Sequence, residues 1–81
     1  MLKIQFFGGL RERLGQSKIN VEYNGEQSVE ALKLQLLERG EPWQALAEHN
    51  VLCALNQSIC QPDTIINDGD EIAFFPPVTG G

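Results

Sequence analysis

Eighty-one residues make one domain, and a chain this short buries only about 60% of its unfolded surface, so every apolar element must serve a single core and no self-contained enzyme cleft fits. Six Lys plus Arg against eleven Asp plus Glu leave a formal net charge of -5, which repels phosphate backbones and anionic lipid. That balance argues against nucleic acid and membrane partners and favours basic protein surfaces.

From the N-terminus, Leu2, Ile4 and Phe6 alternate with Lys3, Gln5 and Phe7, the pattern of a half-buried strand whose last residue is an apolar side chain on the polar face. There is no continuous hydrophobic run here, so the segment reads as neither a signal peptide nor a membrane span, and a cytosolic protein is expected. Gly8-Gly9 breaks the strand. Leu10 to Leu14 then reads as a short helical turn closed by Gly15, and Lys18 to Tyr23 as a second strand with Ile19, Val21 and Tyr23 facing in, ended by the turn pair Asn24-Gly25.

Ser28 suits an N-cap for a helix through Glu38, with Glu30 in the first turn and Gly40 just past the end. Val29, Leu32, Leu36 and Leu37 form the stripe that covers a sheet. Pro42 can open a second short helix through Glu48, with Trp43 and Leu46 as satellites of the core. His49 stands alone in a polar connection, without a carboxylate or second imidazole nearby in sequence, and reads as a surface residue.

Val51 to Leu55 and Ser58 to Cys60 read as two short strands joined at Asn56-Gln57. Cys53 and Cys60, seven apart, match no C-x-x-C or zinc spacing and are expected to be small apolar side chains kept reduced. Pro62 to Ile66 reads as a connection and Asn67-Asp68-Gly69-Asp70 as a solvated turn, because the ligand spacing of a calcium loop is absent. Glu71 to Phe75 is the final strand of a domain spanning residues 1–75.

The order strand, strand, helix, strand, strand, strand has a compact α+β solution: a mixed sheet wrapped over one principal helix, the β-grasp or ubiquitin-like arrangement. Its first and last strands lie parallel at the centre, since the helical crossover between them permits parallel pairing. By parity Ile72 and Phe74 face the core, while Ala73 and Phe75 face away with Phe7. Two phenylalanines exposed together at the ends of adjacent strands suggest a partner surface.

The remaining residues, 76–81, read as a flexible tail, Pro76-Pro77-Val78-Thr79-Gly80-Gly81. A terminal glycine pair arises by chance in roughly one chain in 200 at the usual glycine frequency of about 7%. Pro76 and Pro77 lack N-H donors and fix φ, ending strand pairing and sending the tail off the domain for up to roughly 20 Å. Without Cβ atoms, Gly80 and Gly81 let a terminal carboxylate enter a narrow site on another protein.

These residues resemble a known family, the small sulfur-carrying subunit of molybdopterin synthase. The resemblance is carried by Phe74 to Gly81, by Phe6-Phe7 with Arg11, by Ala54-Leu55-Asn56-Gln57 and by Asp68-Gly69-Asp70-Glu71. Residues 16 to 50 carry little that is diagnostic, and the two cysteines are outside the family pattern. The resemblance implies that a ubiquitin-activating-type adenylyltransferase uses Mg-ATP to adenylate Gly81, that a sulfur donor protein converts it to a thiocarboxylate, and that no cofactor or metal is held permanently. The loaded tail then enters the large synthase subunit, which supplies the acid-base groups, and builds the dithiolene of molybdopterin from cyclic pyranopterin monophosphate. Gly80 gives access, Phe7, Phe75 and Pro76 to Thr79 meet the partner, and the complex is a heterotetramer. A sulfur carrier for thiamine thiazole synthesis and a ubiquitin-like protein modifier share the fold and the Gly-Gly end. A β-grasp iron-sulfur ferredoxin needs four cysteine ligands, and two are present.

Overall fold

A computed structural model of the chain describes residues 1–48 and 51–76. His49, Asn50 and Pro77 to Gly81 lie outside the described residues.

The N-terminal alternation forms β1 (Leu2–Phe6), with Leu2, Ile4 and Phe6 buried. Gly8 takes φ +58°, a conformation open to glycine, and α1 (Gly8–Leu14) starts there, two residues before the expected Leu10. Leu10 and Leu14, one turn apart, are its buried residues. Gly15 closes the helix in the left-handed region, donating its N-H to the Arg11 carbonyl at 2.9 Å. The second strand, β2 (Lys18–Val21), stops two residues short of Tyr23, although Ile19, Val21 and Tyr23 all pack against the core as expected.

A two-residue strand, β3 (Gln27–Ser28), leads into α2 (Val29–Leu37). Ser28 is the N-cap, its Oγ accepting the Ala31 N-H at 3.1 Å, and Val29, Leu32 and Leu36 form the buried stripe. After Pro42, a short 3-10 helix covers Trp43–Ala47. Here the expectation of satellite packing is corrected. Trp43, Ala45 and Leu46 belong to the core, with Leu46 fully buried and Trp43 edge-on to Phe6 at 5.7 Å between ring centroids. A core this small needs the indole to fill the end that α1 and α2 leave open, and the Arg39 guanidinium lies over the ring, 4.8 Å from its centroid.

Two further strands, β4 (Leu52–Leu55) and β5 (Ser58–Ile59), form a hairpin through Asn56 at φ 49° and Gln57 at φ 73°. Positive φ at both positions is what a two-residue type I′ turn demands. The segment read as a plain connection contains β6 (Ile65–Ile66), which pairs antiparallel with β3 and buries Ile66. A two-residue ladder is too short to leave a periodic signal. The last strand is β7 (Glu71–Phe75).

The main sheet has the order β2-β1-β7-β4-β5, with β1 and β7 parallel at its centre in the register Ile4 to Ile72 and Phe6 to Phe74. The other pairs are antiparallel. With α2 packed on one face of this mixed sheet, the fold is the α+β β-grasp arrangement. The Phe6 and Phe74 rings stack at 6.3 Å in the middle of the core.

Asn56 ties the β4/β5 turn to the turn before β7. Its Oδ1 accepts the Glu71 N-H at 3.0 Å, its Nδ2 donates to Asp70 at 3.1 Å, and the other Asp70 oxygen accepts the Asn67 N-H at 2.7 Å. The motifs at 54–57 and 68–71 are therefore one structural unit, two turns latched together. Asn56→Ala breaks two of these bonds at a left-handed position. Chemical denaturation should show a loss of about 1 to 2 kcal/mol, reduced from the buried case because water reaches the site; unchanged stability would show that the latch contributes nothing.

Candidate functional site

Strand parity divides the sheet into a face under α2 and an open face. On the open face, Phe7, Ala73 and Phe75 meet Leu52, Ala54 and Ile59, because β4 pairs Leu52 with Phe75 and Ala54 with Ala73, and β5 pairs Ile59 with Ala54. Small residues at the centre and large ones around them leave a groove of about 460 Å³, lined also by Gln5, Gln57 and Glu71. Gln5 donates to Glu71 at 2.7 Å, so the charged group at the groove's edge is already partnered. Beyond it the same face turns polar, with Lys3, Lys18 and Asn20.

Phe7 is 46% exposed and lines the same groove as Phe75, as parity required. Phe75 is only half-buried rather than largely exposed, which corrects one part of the expectation. Its cross-strand partner is the bulky Leu52. Sequence reasoning missed Leu52 and Ile59, the latter 75% exposed and the most exposed large apolar side chain among the described residues. The signal was present: with Asn56-Gln57 as the turn, Ile59 sits opposite Ala54, and its face follows by counting.

Pro76 ends β7 beside α1. A Cβ built on Gly8 would lie 3.1 Å from Pro76 Cγ and 3.3 Å from Cδ. Pro76 is thus seated against the glycine at which α1 starts, and the expectation that the residues following the prolines leave the domain falls on positions outside the described residues. Pro77, Val78, Thr79, Gly80 and Gly81, the other expected site residues, lie outside the described residues. Gly8→Ala adds both that contact and backbone strain at positive φ, so it should cost on the order of 1 to 3 kcal/mol and displace the root of the tail. A denaturation midpoint equal to the parent's would contradict this.

Cys53 and Cys60 are free thiols, half-buried on the opposite, core-facing side of the sheet. Burial, and then the neighbouring Cys60 sulfur, push the Cys53 thiol up to about 12, so it stays protonated and is a poor nucleophile. Among the described residues no three His, Cys, Asp or Glu side chains gather as a metal site, and no helix is long and apolar enough to cross a membrane. What the geometry offers is an apolar docking groove with the root of the tail at its edge.

Known proteins resemble this chain over its full length. The molybdopterin synthase sulfur carrier subunits of Haemophilus influenzae and Escherichia coli are each 40% identical to this chain over 82 residues, covering all of both partners in each comparison. Among solved structures, the complex of subunits 1 and 2 of molybdopterin-converting factor from Helicobacter pylori contains a chain that superposes with a TM-score of 0.69 at 25% identity, covering 99% of this chain and 97% of that one. The putative molybdopterin converting factor subunit 1 of Pyrococcus furiosus, at 24% identity, shares the fold with a TM-score of 0.80 over 95% of this chain and 97% of that one. The ThiS family model matches residues 4–81, nearly the entire sequence, and the chain belongs to the ThiS family.

Proposed function

We propose that this protein is the sulfur carrier subunit of a molybdopterin synthase and that Gly81 is the residue that carries the sulfur. The observation that supports this most is full-length identity of 40% to two carriers so named, with no part of either left unmatched. The apolar groove at the root of the tail supplies what a carrier needs, a surface by which a partner holds the domain while the tail enters its site.

In this reading the Gly81 carboxylate attacks the α-phosphorus of Mg-ATP in a ubiquitin-activating-type adenylyltransferase, and pyrophosphate leaves. A sulfur donor protein then delivers sulfur to the acyl carbon, AMP leaves, and a thiocarboxylate remains. The large subunit takes the loaded tail, and its own acid-base groups direct sulfur into cyclic pyranopterin monophosphate. The carrier contributes reach, access at Gly80 and docking through Phe7, Phe75 and the segment from Pro76 to Thr79. A heterotetramer working in the cytoplasm fits this division of labour, which asks the carrier for no resident cofactor.

The test is intact mass after incubation with the activating enzyme, ATP and a sulfur source. The chain should gain the difference between sulfur and oxygen, located on its C-terminal peptide, and the loaded form should convert the pterin substrate when the large subunit is added. Attachment to protein lysines through Gly81 without pterin conversion would overturn the reading in favour of a modifier. Because sulfur travels on the carboxylate, the Cys53→Ala, Cys60→Ala double variant should load sulfur as the parent does; a folded double variant that is adenylated but takes no sulfur would instead indicate a persulfide relay.

A further inference from the structure

We propose that Cys53 and Cys60 are a modification site, a dithiol that a small peroxide closes into a reversible cross-strand disulfide. The two residues are placed symmetrically about the Asn56-Gln57 turn. They follow directly from the pairs Leu55 to Ser58 and Ala54 to Ile59, and the Cys60 N-H donates to the Cys53 carbonyl at 3.1 Å. Cys60 lies one residue beyond β5 and makes one of the two backbone bonds of a ladder pair, whose Cα atoms stand about 5.5 Å apart. That falls inside the window of about 4.4 to 6.8 Å that a disulfide spans.

The side chains already meet. Their sulfurs are 3.5 Å apart, so bond formation requires an approach of about 1.5 Å. This displacement is available because β5 is a two-residue strand at the sheet edge, held by β4 alone. Both thiols are half-buried, which impedes cross-linking to another protein while a small peroxide can still reach them.

The chemistry starts at Cys60, since Cys53 holds its proton up to about pH 12. The Cys60 sulfur attacks one oxygen of hydrogen peroxide and the O-O bond breaks. The second oxygen leaves as water with the thiol proton, giving a sulfenic acid. Held 3.5 Å away, the Cys53 thiol then gives its proton to the departing hydroxide as its sulfur attacks the Cys60 sulfur, so the S-O bond breaks and water leaves, proximity offsetting the thiol's weak nucleophilicity. Two thiols and one peroxide become one disulfide and two waters, and a thiol reductant reverses the change. The bond forms on the core-facing side and leaves the apolar groove uncovered, while pinning the hairpin end that presents Ile59.

The test treats the full chain with hydrogen peroxide and maps its peptides without reduction, which separates cross-linking from oxygen addition at Met1. The expected product has lost two hydrogens, links the Cys53 and Cys60 peptides within one chain, and reverts on adding dithiothreitol. In Cys53→Ala the resolving thiol is gone, and dimedone should trap a sulfenic acid at Cys60. Sulfinic or sulfonic acids without a link, dimers between chains as the main product, or two unreacted thiols at a peroxide dose that oxidises free cysteine would each overturn the proposal.

Discussion

Deletion of Gly81 is expected to abolish sulfur loading and transfer while leaving the fold intact. The structure gives this expectation a fixed origin, because Pro76 is seated against Gly8 and the reach of the tail is measured from there. Losing one residue withdraws the terminal carboxylate by up to about 3.5 Å, and a misplacement of even about 1 Å can cost on the order of 10²-fold in rate. Two partner sites are affected in succession, so the combined loss exceeds that of either step. Intact mass after activation reads the first step and single-turnover pterin conversion the second. A shortened chain that forms a thiocarboxylate and converts pterin as well as the parent would remove Gly81 from its proposed role. Replacing Gly81 by a bulky residue keeps the length and adds a Cβ, and it should fail for a steric reason instead.

The second large effect lies in the groove. Phe7 and Ile59, both exposed and on the same face, have the most apolar surface left to bury against the large subunit, whereas Phe75 has already buried part of its own. Full burial of such a side chain stabilises a complex by about 1.5 to 3 kcal/mol. Allowing for what is already covered, Phe7→Ser with Ile59→Ser should weaken association by roughly 10²-fold, with Phe75→Ser acting less strongly. The isolated domain should unfold within about 0.5 kcal/mol of the parent, since neither residue belongs to the core. Titration calorimetry against the large subunit measures the first quantity and urea denaturation the second. Affinity unchanged in the double variant would mean that the partner grips some other surface.

How much of this was legible beforehand follows from the range over which each signal acts. Alternation in β1 and β7 and the apolar stripe of α2 are properties of five to nine consecutive residues, and they were enough to place the central parallel pair and the exposure of Phe7. The β3/β6 ladder has two residues on each side and no periodicity to detect. Trp43 could be placed only as a satellite of the core, because its full burial depends on the space left between α1, α2 and Phe6, which exists only after folding. Ile59 and the proximity of Cys53 to Cys60 form an intermediate case. Both follow from counting outward from Asn56-Gln57 once that pair is accepted as a two-residue turn.

The parallel pairing of β1 with β7 joins segments from nearly opposite ends of the sequence. Closing so large a loop costs entropy before any contact offsets it. The same two strands present the core on one side and the groove on the other. A partner seated in the groove therefore clamps the pair whose separation global unfolding requires, and it should slow the opening of the carrier as well as hold it in place. If the partner docks there as proposed, amide hydrogens along β1 and β7 should exchange more slowly in the complex than in the free domain, and the lifetime of the folded chain would then depend on whether the partner is bound.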